Sequence, residues 1–192
     1  AVLTGGGAVI NAGEPKKGDA IMVVGLGGVG IAAILTAMGL KLGKVIGVDT
    51  NPDKTAQVKK LGVSETYTPS EVGEKGIKAN LVIEAAGHPK AFETAYYATA
   101  PGGRTVTVGL PHPSAESVIR PLALTAEART VIGSYLGSAV PTRDIPKYEQ
   151  LWRKGELAVQ ELVSSKIKLE DINEAMDTLN EGKSVRQIIV FD

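Results

Sequence analysis

The sequence lacks the residues on which several kinds of functional site depend. Its 192 residues include no cysteine and only two histidines. Disulfide frameworks, thiolate zinc sites and cysteine nucleophiles are therefore excluded within this sequence. An excess of one charge is also missing, since 21 Lys+Arg balance 21 Asp+Glu. Because no block of like charge marks a nucleic-acid-binding arm, we predict no nucleic-acid partner.

Long apolar segments and targeting signals are missing as well. No window of about 18 uninterrupted apolar residues occurs, and no basic region followed by an apolar stretch stands at the start. These absences predict a cytoplasmic chain with no membrane partner. The sequence begins at Ala1 without an initiator methionine, so we expect it to be part of a longer protein.

Glycine, by contrast, is abundant. The 23 glycines stand singly between apolar runs, a pattern typical of an α/β protein with tight turns. The run 19–24 is apolar without alternation, which indicates a strand covered on both faces. Further strands are predicted at 44–49, 64–68, 79–84, 104–109 and 130–135, helices at 28–42, 51–62 and 88–100, and a break at 101–103. This alternation predicts a doubly wound, mostly parallel Rossmann sheet.

The pattern changes after Gly137. A helix at 141–154, a strand at 163–167, a helix at 169–180 and a strand at 185–191 are predicted in this part of the sequence. We therefore place a domain boundary near residues 134–140, which gives one domain at 1–136 and a C-terminal segment at 137–192.

One glycine motif carries chemistry. Residues 25–30 (GLGGVG) fit the pattern G-x-G-x-x-G, with Gly25, Gly27 and Gly30 at its signature positions. A predicted strand precedes the motif, a predicted helix beginning near Gly28 follows it, and Asp49 stands 19 residues after Gly30. In a dinucleotide-binding fold the three glycines permit a tight turn, approach of a pyrophosphate and close helix packing.

Asp49 predicts which dinucleotide binds. At the end of the second strand its carboxylate would accept hydrogen bonds from the adenosine ribose hydroxyls. A 2′-phosphate at this place would meet a like charge, and the neighbouring Thr50 and Asn51 supply no arginine. The sequence therefore favours NAD over NADP. The alternative is a glycine turn that binds nothing, with Asp49 solvated at the end of a strand.

Other polar residues are individually weaker candidates. His88 either lines the cofactor crevice or lies in an exposed loop. His112 stands between two prolines and is interpreted as a rigid-loop residue, and Trp152 as core or interface filler. The histidines are too isolated to form a zinc site. Arg186 begins an apolar strand and either binds a phosphate or lies on the surface.

Several segments carry a resemblance to a known family. They are, in order, 23–30 (VVGLGGVG), 46–49 (IGVD), 61–63 (LGV), 84–87 (EAAG), 102–104 (GGR), 108–109 (VG), 172–175 (INEA) and 182–186 (GKSVR). Together they resemble the zinc-containing, medium-chain alcohol dehydrogenases, and look closest to the class III-like branch. The match runs over essentially the whole chain.

The resemblance implies roles for individual residues. Val29 would pack against the nicotinamide, Thr4 would border that ring, and 108–110 would bind its carboxamide through the backbone. Lys54 would contact the adenosine ribose and Arg186 the pyrophosphate. The full set of predicted cofactor-binding residues is Thr4, Gly25, Gly27, Gly28, Val29, Gly30, Asp49, Lys54, Ala86, Gly87, His88, Val108, Gly109, Leu110, Tyr135 and Arg186.

The resemblance also implies a zinc ion that polarises the substrate oxygen while a hydride passes between an alcohol and NAD. Its cysteine and histidine ligands would precede Ala1, so no catalytic or metal-binding residue is predicted in this sequence. On this reading 1–136 is the NAD-binding domain, its first residues linking it to the catalytic domain, and 137–192 returns to that domain. The longer protein would act on a small alcohol or aldehyde, whereas these residues alone would bind NAD without turnover.

The predicted strand 130–135 is apolar and would lie at an edge of the sheet, a place that natural proteins rarely leave uncovered. In the resembled family this region pairs with its symmetry mate and continues the sheet. A homodimer or homotetramer is therefore expected.

The sequence leaves three alternatives open. A zinc-free quinone or enoyl reductase of the same superfamily would prefer NADPH, which Asp49 opposes. An S-adenosylmethionine-dependent methyltransferase would also pair a glycine-rich turn with an acidic residue, but the acidic residue expected in its first strand is missing. A non-catalytic NAD-sensing module is the third alternative, and the sequence shows no partner element for it.

Overall fold

A computed structural model describes residues 1–191 of the chain. The helices are α1 (Val2–Gly7), α2 (Gly28–Gly39), α3 (Pro52–Lys60), α4 (Pro69–Glu74), α5 (Pro89–Ala98), α6 (Pro121–Ala126), α7 (Pro141–Arg153) and α8 (Ile172–Asn180). The strands are β1 (Ile21–Val24), β2 (Val45–Val48), β3 (Glu65–Tyr67), β4 (Ala79–Glu84), β5 (Thr99–Thr107), β6 (Thr130–Gly133), β7 (Ser165–Ile167) and β8 (Gln187–Ile189). A π-helix (Ala8–Gly13) follows α1, and short 3-10 turns occur at Tyr135–Ser138, Val159–Leu162 and Leu169–Asp171.

The large sheet has six strands in the order β3-β2-β1-β4-β5-β6. Every neighbouring pair in it is parallel. This is the strand order of a doubly wound dinucleotide-binding sheet, so the predicted α/β fold is confirmed. All residues of β1 and β2 are buried, because their uninterrupted apolar sequence suits strands covered by helices on both faces.

Several predicted boundaries were wrong. The break predicted at 101–103 does not end an element but lies inside β5. The strand is irregular there, since Gly102 adopts a left-handed φ of 72° and the register with β4 shifts. The last predicted strand shortens to β8, which pairs with β7 in a separate sheet of two strands. The helix predicted at 169–180 begins with a 3-10 turn before α8.

The sequence did not predict α1, α4 or α6. In α1, three consecutive glycines are poor helix formers by intrinsic propensity, yet Gly5, Gly6 and Gly7 are buried in the helix. A Cβ at Gly5 would lie 2.2 Å from the carbonyl oxygen of Val29. Packing of α1 against α2 therefore requires glycine at position 5, although glycine lowers the helix propensity of α1.

Part of the C-terminal segment packs on the core of the large sheet. Tyr148, Leu157 and Leu162 belong to the same buried apolar cluster as Ile21 and Ile31. Residues 165–191 instead include the small sheet of β7 and β8. The division at 136/137 stays a prediction, and 141–162 share one core with the residues before it.

No helix formed by residues 1–191 combines the length and apolar character needed to cross a membrane.

Candidate cofactor-binding site

The carboxyl ends of five strands form one row across the large sheet. Val48, Val24, Glu84, Thr107 and Gly133 are successive partners in its register. The residues that follow them are Asp49, Gly25, Ala85, Val108 and Ser134. The chain winds outward in opposite directions from β1 and β4, which creates the crevice where open parallel sheets bind ligands. Predicted site residues from distant parts of the sequence therefore meet at one edge.

The first and third glycines of the motif are explained by the fold itself. Gly25 has a φ of 94°, a left-handed conformation that favours glycine. A Cβ at Gly30 would lie 1.9 Å from the carbonyl oxygen of Gly25, so only a hydrogen atom fits. These two glycines allow α2 to begin immediately beyond the end of β1.

Gly27 is different, because nothing within the chain requires glycine there. Its φ of −80° and ψ of −171° are accessible to any residue, and a Cβ would meet no atom within 4 Å. Among the described residues no side chain caps the N-terminus of α2. The first N–H groups of a helix and the positive end of its dipole attract anions. Gly27 therefore leaves open space beside a site suited to a phosphate.

Asp49 joins the end of β2 to the glycine turn. Its Oδ2 accepts a hydrogen bond from the backbone N–H of Leu26 at 2.7 Å, and its Oδ1 accepts one from Asn51 at 2.9 Å. Asn51 in turn caps α3 by accepting a hydrogen bond from the backbone N–H of Asp53. The carboxylate is thus fixed in position at the crevice, with lone pairs remaining for further donors.

A cleft of about 430 Å³ opens beside Asp49. Its walls include Gly25, Asp49, Ala86 and His88. His88 is exposed and also caps α5, because its Nδ1 accepts a hydrogen bond from the backbone N–H of Lys90 at 3.2 Å. His88 therefore lines this cleft and is exposed, and its contact with a cofactor stays a prediction. We call this space the β2-side cleft.

A second space of about 710 Å³ lies on the other side of the crevice, and we call it the β5-side cavity. Its lining includes Thr4, Val29, Ala86, Val108, Gly109, Leu110 and Tyr135. All seven belong to the predicted cofactor-binding set. Leu110 and Tyr135 are 79% and 83% exposed, so apolar side chains at the rim of this cavity face solvent.

Two predicted cationic residues lie outside these two spaces. Arg186 is exposed and borders a smaller cavity of about 370 Å³ together with Gly28 and Val29, which places it near the N-terminus of α2. Lys54 lies on α3, and its Nζ is 4.0 Å from the position that a Cβ would take at Gly182. The structure therefore brings Arg186 beside the glycine turn and Lys54 beside the end of α8.

Sequence reasoning missed the side chain of Glu84. It is 1% exposed, and its Oε1 accepts hydrogen bonds from the backbone N–H groups of Ala86 and Gly87 at 2.8 and 2.7 Å. Its Oε2 accepts one from Oγ1 of Thr107 at 2.7 Å. The available signal was an acidic residue that ends an apolar strand.

The remaining candidates have local roles. Nδ1 of His112 lies 2.8 Å from Oγ of Ser114 in an exposed loop, as predicted. Trp152 is 48% exposed, so it is not a core residue in this chain. Within residues 1–191 no group of three or more His, Cys, Asp or Glu side chains could hold a metal ion.

Comparison with known proteins identifies the class of dehydrogenase. The chain matches the zinc-binding dehydrogenase family over residues 28–154. Alcohol dehydrogenase 1 of Cenchrus americanus is 32% identical over 198 residues, which are 98% of this chain and 52% of that protein. The class-3 alcohol dehydrogenase of Drosophila melanogaster is 33% identical over 202 residues, which are 99% of this chain and 53% of that protein.

A solved structure agrees with these sequence matches. An alcohol dehydrogenase zinc-binding domain protein from Burkholderia ambifaria superposes with a TM-score of 0.90 at 26% identity, covering 100% of this chain and 53% of that chain. The chain therefore belongs to the zinc-binding dehydrogenase family, and the resemblance to medium-chain alcohol dehydrogenases is confirmed. It spans about half the length of the curated relatives it matches. Membership of a dehydrogenase family contradicts the methyltransferase alternative.

Proposed function

We propose that this chain is the NAD(H)-binding part of a zinc-dependent alcohol dehydrogenase, which transfers a hydride between a small alcohol and NAD. A bound nicotinamide would supply the hydride acceptor or donor. The residues of this chain would bind the dinucleotide and orient it across the crevice. Family membership over residues 28–154 and the alcohol dehydrogenases among the relatives support the enzyme class.

The observation that carries the cofactor assignment is the pairing of open space at Gly27 with the fixed carboxylate of Asp49. A pyrophosphate at the N-terminus of α2 would leave one half of the dinucleotide for each side of the crevice. Asp49 lines the β2-side cleft, which suits an adenosine. Val29 and Val108 line the β5-side cavity, which suits a nicotinamide.

Asp49 also supports NAD over NADP. Its carboxylate is held by two backbone N–H groups, so it has little freedom to turn away from a 2′-phosphate. Thr50, which follows it, also lines the β2-side cleft and carries no charge. Lys90 also lines this cleft, but its ammonium is paired with Glu93 at 2.8 Å. A 2′-phosphate beside Asp49 would therefore be repelled by its carboxylate.

Isothermal titration calorimetry with NAD and NADP tests the assignment. The wild-type chain should bind NAD more tightly by about tenfold or more, since two like charges about 4 Å apart repel each other by roughly 1 to 4 kcal/mol between bulk water and a protein surface. Asp49→Asn keeps one oxygen acceptor and removes the charge, so the difference in affinity between NAD and NADP should become smaller. Asp53→Asn, a neighbouring exposed acid on α3, is the matched control and should leave it unchanged.

The titrations have three outcomes that would contradict the proposal in different ways. Tighter binding of NADP than NAD would contradict the proposal and favour the zinc-free reductase alternative. Absence of binding to either nucleotide would reject the cofactor site altogether. An equal change in Asp49→Asn and Asp53→Asn would show that Asp49 has no specific role.

We propose further that these 192 residues do not oxidise alcohols alone. The residues present do not fit a catalytic zinc, because the sequence has no cysteine and its two histidines lie in no potential metal site of the described residues. With zinc added, NAD-dependent oxidation of ethanol or benzyl alcohol should be undetectable. Turnover by this chain would overturn the statement.

We also propose that the chain self-associates through β6. This strand is the edge of the large sheet, and Val131 and Ile132 on it are only partly buried. A second copy paired along β6 would continue the sheet in a homodimer or homotetramer. Sedimentation as a monomer at high concentration would contradict this. The cytoplasmic location and the class III-like assignment stay predictions.

A further inference from the structure

Glu84 is a buried charge that the proposed cofactor contacts do not use. It ends β4 in the middle of the large sheet, where Val24 of β1 and Thr107 of β5 are its partners. Only 1% of the residue is exposed. A charged residue with so little access to water is retained only where its surroundings stabilise the charge.

The surroundings of the side chain suit a carboxylate. Oε1 accepts hydrogen bonds from the backbone N–H groups of Ala86 and Gly87, and Oε2 accepts one from the hydroxyl of Thr107. The backbone carbonyl of Glu84 accepts a further hydrogen bond from the N–H of Val108 at 2.9 Å. An ionised carboxylate only accepts hydrogen bonds, and each of these groups donates one. Glu84 thus ties together the loops after β4 and β5.

The charge is stabilised by hydrogen bonds and not by a neighbouring cation. Among residues 1–191, none of the ion pairs involves Glu84. Backbone dipoles hold the carboxylate in place but leave its net charge uncompensated. In a poorly solvated environment such a charge acts over a longer range than it does in water.

The carboxylate lies directly behind the wall of the β5-side cavity. A Cβ at Gly109 would be 2.8 Å from Oε2 of Glu84, and Gly109 lines that cavity together with Ala86 and Thr107. One layer of backbone therefore separates the negative charge from the space proposed for the nicotinamide.

We propose that the buried charge of Glu84 favours the oxidised cofactor over the reduced one. The nicotinamide ring carries a positive charge in NAD⁺ and none in NADH, so a nearby carboxylate stabilises only the oxidised form. This inference rests on the proposed function, because it requires the nicotinamide to occupy the β5-side cavity.

The test compares dissociation constants for NAD⁺ and NADH in the wild-type chain and in Glu84→Gln. Glutamine keeps an oxygen acceptor for the two loop N–H groups and removes the charge. The ratio Kd(NAD⁺)/Kd(NADH) should rise about five- to tenfold, the size expected for a partly shielded charge pair in protein. Glu65→Gln is the matched control, since it removes an acidic charge at the amino end of β3, away from the crevice. It should leave the ratio unchanged.

Thr107→Val separates charge from loop anchoring. This variant removes the hydroxyl that donates to Oε2 but keeps the carboxylate, so the ratio should not shift toward NADH. A rise in the ratio as large as that in Glu84→Gln would show that anchoring, not charge, sets cofactor preference, and would overturn the inference. If Glu84→Gln does not fold, Glu84→Asp withdraws the charge from Gly109 by one methylene and should raise the ratio by a smaller amount.

Failure of the inference can be distinguished from failure of the proposed function. A wild-type chain that binds neither NAD⁺ nor NADH contradicts the cofactor site itself. A wild-type chain that binds both, with an unchanged ratio in a folded Glu84→Gln or Glu84→Asp variant, contradicts only the role of Glu84.

Discussion

The carboxyl edge of the large sheet and the contact between α1 and residues 137–144 use the same two kinds of residue for different ends. Each region combines a glycine with a buried carboxylate. At the sheet edge, Gly27 faces open space and Glu84 has no ion pair among the described residues. At the α1 contact, a Cβ at Gly7 would lie 2.2 Å from the carbonyl oxygen of Gly137, and Asp144 is paired with Arg143.

The two regions differ in whether contacts within the chain account for the glycine and for the buried charge. The neighbours of Gly7 leave no room for a side chain, and Arg143 and Lys147 compensate the charge of Asp144. These residues therefore serve stability. Gly27 has no neighbour that would clash, and the charge of Glu84 is uncompensated. We propose that a bound dinucleotide completes the surroundings of both residues.

Gly7→Ala should have the largest effect on stability. The new methyl group would meet the carbonyl of Gly137, a backbone atom that cannot rotate away, so α1 would have to move from its place. We expect the free energy of unfolding to fall by about 3 kcal/mol or more, as for severe overpacking. Urea denaturation monitored by circular dichroism measures it.

The control for this variant is Gly73→Ala on α4. A Cβ at Gly73 would meet no atom within 4 Å, so the change should be neutral or raise stability by up to about 1 kcal/mol through helix propensity. Equal stability of the Gly7 and Gly73 variants would show that the α1 contact is not tight.

Gly27→Ala should leave stability nearly unchanged and weaken NAD binding, in contrast to Gly7→Ala. Its backbone angles suit alanine and its Cβ would be free of contacts in the chain, so stability should change by less than about 1 kcal/mol. The methyl group would, however, occupy space beside the N-terminus of α2. Titration calorimetry should show NAD affinity about tenfold lower or worse, the result of displacing a phosphate from its N–H donors.

Unchanged NAD affinity in Gly27→Ala would break the comparison, because the open space would then have no role in binding. Gly73→Ala again serves as the control, since it too adds a methyl group without a clash but lies outside both proposed halves of the site.

Much of the sheet edge could be predicted from sequence, for physical reasons that concern local pattern. Gly25, Gly30 and Asp49 stand at fixed separations within one βαβ unit, so short-range spacing specifies their geometry. The strands around them are apolar without interruption, which identifies a parallel sheet. The family resemblance added Thr4, Val29 and 108–110, which the structure places around one cavity.

The residues that escaped prediction depend on contacts between distant segments. Glu84 and Thr107 are partners only because β4 and β5 are aligned in register. Likewise, Asn11 lies beside Gly137 and Asp144 through the packing of the N-terminal segment against α7. No local sequence pattern indicates such contacts. The three glycines of α1 likewise argue against a helix when its packing against the rest of the chain is not known.

Asp144→Asn gives the smallest predicted effect and the sharpest contrast with Glu84→Gln. The Asp144 side chain is 3% exposed. The Arg143 guanidinium, helped by the backbone N–H of Val140, holds the pKa of this carboxyl well below its ordinary value. A carboxyl with a lowered pKa in the folded state contributes stability above its unfolded pKa of about 3.9, and this contribution is lost as the pH falls.

The melting temperature of Asp144→Asn should therefore be a few degrees below that of the wild-type chain at pH 7, and the gap should narrow as the pH is lowered below about 4. The Kd ratio for NAD⁺ and NADH should not change, because the lost charge was already compensated by Arg143. A gap that widens in acid would contradict the ion pair as its source. A shift in the ratio like that expected of Glu84→Gln would show that any buried carboxylate in this fold influences the cofactor, and the distinction between the two regions would be lost.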